Sequence, residues 1–155
     1  MKLAISGKGG VGKTTFSALL AQAYADGGRD VLAVDAFSGD AIPIHLLTKE
    51  AAAIYFRHLK PDGILALHIT NLHFDLEAVA HGLAKEFGKS IYVVRQERDS
   101  SEGIKASTWA LITDNREFLD HPRVLRYVPE SSRGIDEDAV LWTDDHSDVL
   151  GALRD

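Results

Sequence analysis

Short apolar runs alternate with longer stretches of helical spacing along this chain. Residues 2–6 (KLAIS) and 30–35 (DVLAVD) each read as a buried strand. Between them, residues 12–26 set Phe16, Leu19, Leu20 and Ala23 on one helical stripe, which "DGG" at 26–28 terminates. "SGDAIP" is a loop, and helical spacing returns over residues 44–59 through Leu47, Ala51, Ile54, Tyr55 and His58. "KPDG" (60–63) is a turn, because Pro presets one backbone angle and Gly releases the next. It leads into a third strand, "ILALHI" (64–69). Residues 76–87 form a helix that Asp75 can cap and Gly88 can stop. "SIYVVRQ" (90–96) and "STWALIT" (107–113) are the fourth and fifth strands. The segment joining them, "ERDSSEGIKA", is polar and lacks helical periodicity, which predicts an antiparallel return and not a helical crossover. A short helix near residues 115–119 and polar loops fill the tail.

Strand and helix in alternation imply an α/β fold with a mainly parallel sheet. Ligands of such sheets sit beyond the carboxyl ends of the strands. Segments 7–15 and 35–43 both follow strand ends, so they are expected on one rim. No internal repeat or long linker divides the 155 residues, and the expectation is a single domain over 1–155.

A net charge of −6 argues against a sequence-independent grip on nucleic acid or an anionic membrane. Phosphate can still bind, because a local cradle of backbone N–H groups needs no global positive charge. With no cysteine, disulfides, thiolate metal sites and a cysteine nucleophile are excluded. No apolar run approaches the ~20 residues that span a bilayer. The start, with one lysine and a four-residue apolar run, does not read as a signal peptide, so the expected address is cytoplasmic.

The most specific chemistry lies in "GKGGVGKT", which satisfies G-x-x-x-x-G-K-S/T between a strand and a helix. Gly7, Gly9, Gly10 and Gly12 let the backbone curl so that successive N–H groups, with those of Lys8, Val11 and Thr15, point at phosphate oxygens. The helix N-terminus adds a favourable dipole. Lys13 is expected at the β- and γ-phosphates, and the Thr14 hydroxyl on Mg²⁺. The bound molecule is then a nucleoside triphosphate, ATP or GTP, with Mg²⁺. "VLAVD" has the pattern of a strand that ends in a metal-site acid, so Asp35 is expected either to accept a hydrogen bond from a Mg²⁺-bound water or to cap the loop that follows.

The longer string "GKGGVGKTT" resembles the deviant Walker-A ATPases, among them partitioning and septum-placing ATPases and the nitrogenase iron protein; the resemblance covers residues 1–35. It implies that Lys8 reaches a partner's phosphates across a nucleotide-sandwiched homodimer. Phe37 stands where that family usually has a second acid, and no later D-x-x-G follows a strand, so hydrolysis is expected to be weak or absent.

From residue 31 onward, "VLAVDAFSGDAIPIHLLTKEA", "YFRHLKPDGILALHITN", "STWALITDN" and "LWTDDHSDVLGAL" resemble the C-terminal half of spermidine-synthase-like aminopropyltransferases. That resemblance implies amine-handling roles for Asp35 and Asp40 and a polyamine ligand, while the half that binds the sulfonium donor is replaced. The chain therefore reads as a chimera of a P-loop unit (1–35) and an aminopropyltransferase-like half (31–155). The expected architecture has three layers around a mainly parallel five-stranded sheet, order 1-2-3-5-4, with the last strand antiparallel. It is Rossmann or methyltransferase-like, with a P-loop first unit. The expected functional residues are Lys13, Asp35 and Asp40, served by the loop from Gly7 to Thr15. A non-catalytic protein that uses the scaffold to hold a protein partner is the remaining alternative.

The histidines His45, His58, His68, His73 and His81 show no ligand spacing joined to acids, so surface or core roles are expected. Trp109 and Trp142 are expected in packing, and residues 136–138 in a solvated loop.

Overall fold

The computed structural model describes residues 30–35, 44–71, 74–98, 100–101 and 106–146. The expected first strand, the loop from Gly7 to Thr15, the helix after it, and Asp40 lie outside these residues.

Four strands form one sheet: β1 (Val31–Val34), β2 (Ile64–His68), β3 (Ser90–Gln96) and β4 (Ser107–Thr113), in the order β1-β2-β4-β3. β1 and β2 are parallel, with Val31 beside Ile64 and Val34 beside Leu67. β4 runs antiparallel to both of its neighbours, β2 and β3. The polar connection after β3 therefore returns the chain as a hairpin, as its lack of helical spacing implied. The four strands stand in the relative order expected for strands two to five. The five-stranded order depends on residues 2–6 and stays an expectation.

Each strand buries both faces, so alternate residues feed two separate cores. Val31, Ala33, Ile64, Ala66, Tyr92, Val94, Trp109 and Leu111 form one core with Phe118, Leu119, Val124 and Val128. The last four come from α3 (Arg116–Leu119), α4 (Pro122–Tyr127) and the residue after it. Leu65, Leu67, Ile91, Val93, Ala110 and Ile112 form the other core, under α1 (Lys49–His58) and α2 (Leu76–Glu86). Helices on both faces of a mixed sheet make three layers.

Local chemistry accounts for most helix ends. Asp75 caps α2 by accepting from the N–H groups of Glu77 and Ala78. At the other end Gly88 adopts φ +61°, while Lys89 N–H bonds Ala84 O and Gly88 N–H bonds Lys85 O. This is a Schellman stop. The helix expected from residue 44 begins later. Residues 44–46 form a 3₁₀ turn, and α1 starts after Thr48, whose extended backbone (ψ 160°) breaks the run and whose hydroxyl accepts from Ala51 N–H. Helix α4 was not expected, because six residues carry too little periodicity to read. His121 caps it and Pro122 opens it.

The tail fastens the helices of the second core. Val140 N–H donates to Ala78 O on α2, and Lys49 N–H, at the start of α1, donates to Trp142 O. The Trp142 ring is fully buried among α1, α2 and the sheet, the packing role expected of it. The crossing of α2 is close enough to require glycine at position 82, since a Cβ there would lie 1.9 Å from Val140 O.

Candidate functional site

Strand register brings the chemistry of this molecule together. Val34 pairs with Leu67 in the parallel β1–β2 ladder, so the next residues, Asp35 and His68, emerge side by side on one face at the carboxyl ends. Across the next ladder His68 pairs with Trp109. Asp35, His68 and Trp109 therefore form one row on the face covered by α3 and α4. His68 Nδ1 lies 2.8 Å from Asp35 Oδ1. The His68 ring stacks on Trp109, with centroids 4.7 Å apart and planes 22° apart. Two residues beyond His68, the strand period returns Thr70 to the same face, and its Oγ1 lies 2.7 Å from His68 Nε2. Thr108 N–H donates to that same oxygen at 2.7 Å.

The result is a continuous chain from a carboxylate through an imidazole to a hydroxyl. Asp35 is 16% and His68 18% exposed at the side chain, enough shelter to strengthen hydrogen bonds without removing contact with the rim. An ionised carboxylate only accepts, so a neutral His68 beside it carries its proton on Nδ1. Nε2 then accepts, and the Thr70 hydroxyl donates to it.

Of the residues expected to act, Asp35 stands where its strand-end position put it. His68 was expected in a bland role and proves to be its partner. The signal for His68 was present in "LHIT", a polar residue closing an apolar strand next to the strand that ends in Asp35. Lys13, Thr14, Asp40 and the rest of the loop lie outside the described residues.

Farther along the same rim, Arg95 Nη2 contacts both Glu77 oxygens, at 2.5 and 2.6 Å, and His81 Nε2 lies 3.8 Å from Oε1. His81 and then Arg95 hold the Glu77 carboxyl below its ordinary range, against the opposing effect of partial burial. His81 is itself buried and accepts from Asp136 N–H through Nδ1. It is a satisfied core histidine. Asp136, Glu137 and Asp138 are exposed, as expected of a solvated loop.

An open cleft of about 720 Å³ lies beside the start of α1, lined by Ile44, His45, Glu50, Ile54, Tyr55 and Asp144 among others. Thr48 donates to Asp144 at 2.7 Å there, and Asp144 N–H donates to Glu50. The relay residues do not line it. Among the described residues no group of three or more His, Asp or Glu side chains is arranged to hold a metal ion. None of the described helices is long and apolar enough to cross a membrane.

A family model described as the CobQ/CobB/MinD/ParA nucleotide binding domain matches residues 2–138. The match includes the glycine-rich loop and runs through the join expected near residue 35. It lends nothing to the aminopropyltransferase resemblance of residues 31–155. No curated protein matches the chain significantly.

Proposed function

Because this chain belongs to the CobQ/CobB/MinD/ParA nucleotide-binding family, a family of P-loop proteins that bind nucleotide with Mg²⁺, we propose that it takes ATP or GTP with Mg²⁺ on the loop from Gly7 to Thr15 and hydrolyses it weakly or not at all. The observation that carries this reading is the family match over 2–138, which contains a complete G-x-x-x-x-G-K-T loop at 7–14. Lys13 neutralises the β- and γ-phosphates. Thr14 and a rim carboxylate suit Mg²⁺, which is usually held by one or two protein oxygens together with phosphates and water, not by a protein cage.

Asp35 fits the role of rim carboxylate. It directly follows β1 and commits Oδ1 to His68, and its second oxygen can accept from a Mg²⁺-bound water. The outer edge of β1 has no strand partner among the described residues, and residues 2–6 are the strand we assign there. Such a neighbour would set the loop beside Asp35. Lys8 completes a second copy's site in a homodimer. Calorimetry with ATP and with GTP, each in Mg²⁺ and in EDTA, tests the reading. Binding that strengthens in Mg²⁺ is the expected result, and no binding of either nucleotide would overturn it.

A second reading has one observation in its favour. The antiparallel β4 standing between β2 and β3 is the arrangement that the aminopropyltransferase-like half implied. On that reading Asp35 and Asp40 hold the ammonium groups of a polyamine, and the chain is a chimera. A rise in melting temperature with spermidine supports it, and none would end it.

A further inference from the structure

The nucleotide reading uses Asp35 but leaves His68 and Thr70 without a task. Both ring nitrogens of His68 are engaged, Nδ1 by Asp35 and Nε2 by Thr70. Thr70 Oγ1, 2.7 Å from Nε2, is placed to hand its proton to that nitrogen. With Asp35 ionised, the Thr70 proton already points at Nε2. The Thr108 N–H bond then falls on the oxygen, where it favours the developing alkoxide. The alternative orientation, with Thr70 donating to Thr108 O, is long at 3.5 Å, while the bond to His68 is 2.7 Å. Trp109 and the Asp35 bond hold the imidazole plane. Thr70 itself is half-buried.

The geometry points to Thr70 as an activated nucleophile for acyl transfer from a small carboxylic ester, with His68 as its general base and Asp35 as the group that orients His68. A hydroxyl, a base in contact with it, and a third group fixing the base are the parts that such chemistry requires. In the first step Thr70 Oγ1 bonds to the carbonyl carbon, its proton moves to His68 Nε2, and the carbonyl π pair moves to oxygen. That pair re-forms the carbonyl as the C–O bond to the alcohol breaks. The alcohol oxygen leaves with the bonding electrons and takes the proton from Nε2. Water repeats the sequence on the Thr70 ester, with His68 again the base, and releases the carboxylic acid. This activity makes no use of nucleotide, so it stands or falls apart from the loop.

The test treats the full chain, without nucleotide, with an alkyl fluorophosphonate and maps the adduct by peptide mass spectrometry. A single adduct on Thr70 is expected in the wild-type protein, which requires no variant to fold. His68→Gln, shown folded by circular dichroism, should label at least tenfold more slowly. Thr70→Ser, which keeps the hydroxyl and removes a methyl group, should still label at residue 70. p-Nitrophenyl acetate should release nitrophenol faster with wild type than with Thr70→Ala. Absence of an adduct at position 70 in both wild type and Thr70→Ser would overturn the assignment. So would a labelling rate that a folded His68→Gln leaves unchanged.

Discussion

The carboxylate of Asp35 lies 2.8 Å from Nδ1 of His68; His68 ends β2, and Asp35 directly follows β1, the parallel neighbour whose register places Val34 beside Leu67. Thirty-three positions apart in the chain, they meet because each strand delivers one polar side chain to the same face at the same end. The imidazole takes one carboxylate oxygen and aims the group, so the second oxygen is held in a defined place. That geometry bears on whether Asp35 serves a metal-bound water or only its histidine.

Asp35→Asn separates the two. The amide keeps an oxygen that can accept from His68, while the negative charge is lost. If Asp35 accepts from a Mg²⁺-bound water, nucleotide affinity falls roughly tenfold in Mg²⁺, because hydrogen bonds to charged groups are worth about 1.5–3 kcal/mol. The loss should vanish in EDTA. Calorimetry in both conditions reads the difference, and equal affinities would leave Asp35 as the anchor of His68 alone.

Lys13→Ala should weaken triphosphate binding at least tenfold by the same arithmetic, since 1.4 kcal/mol is a factor of ten. An unchanged dissociation constant would mean that the glycine-rich segment is only a turn. Lys8→Ala should lower affinity only where two loops face one another. Sedimentation with a non-hydrolysable analogue checks this, and a strict monomer removes Lys8 from the site.

Gly82→Ala should destabilise the fold by about 1–3 kcal/mol or more, the usual range for inserting a methyl group into a packed core. The added Cβ would fall 1.9 Å from the Val140 carbonyl oxygen. The Cβ is fixed rigidly to the α2 backbone and the atom it meets is backbone, so the tail must lift from α2 to relieve the contact. Urea denaturation reads the loss as a lower midpoint.

Glu77 gives stability a pH dependence of known sign. Its folded-state carboxyl titrates below the ordinary value, because of His81 first and Arg95 after it. Its contribution is therefore fully present above the unfolded carboxyl pKa of about 4.3 and is lost as pH falls through the folded value. Glu77→Gln should be less stable than wild type at pH 7 and approach it in acid. Chemical denaturation at several pH values measures the gap, and a gap that stayed constant into acid would dismiss the role given to this carboxylate.

What the sequence by itself determined is the set of elements whose signals are local. The apolar runs at 64–68, 90–96 and 107–113, the Asp75 cap and the Gly88 stop are all written within a few residues of where they act. The antiparallel return into β4 also follows from its own short polar connection. The glycine-rich loop is legible for the same reason, since its chemistry lies in consecutive backbone groups. Tertiary structure alone decided the rest. Alternation along β2 shows which face His68 occupies, but only the ladder to β1 shows that Asp35 is its neighbour, and only the ladder to β4 sets Trp109 under its ring. Likewise nothing near Gly82 announces that the chain will cross there more than fifty residues later. Propensity and periodicity act over a turn or two of chain. Register and close approach are settled by which surfaces bury one another, and that choice belongs to the folded molecule as a whole.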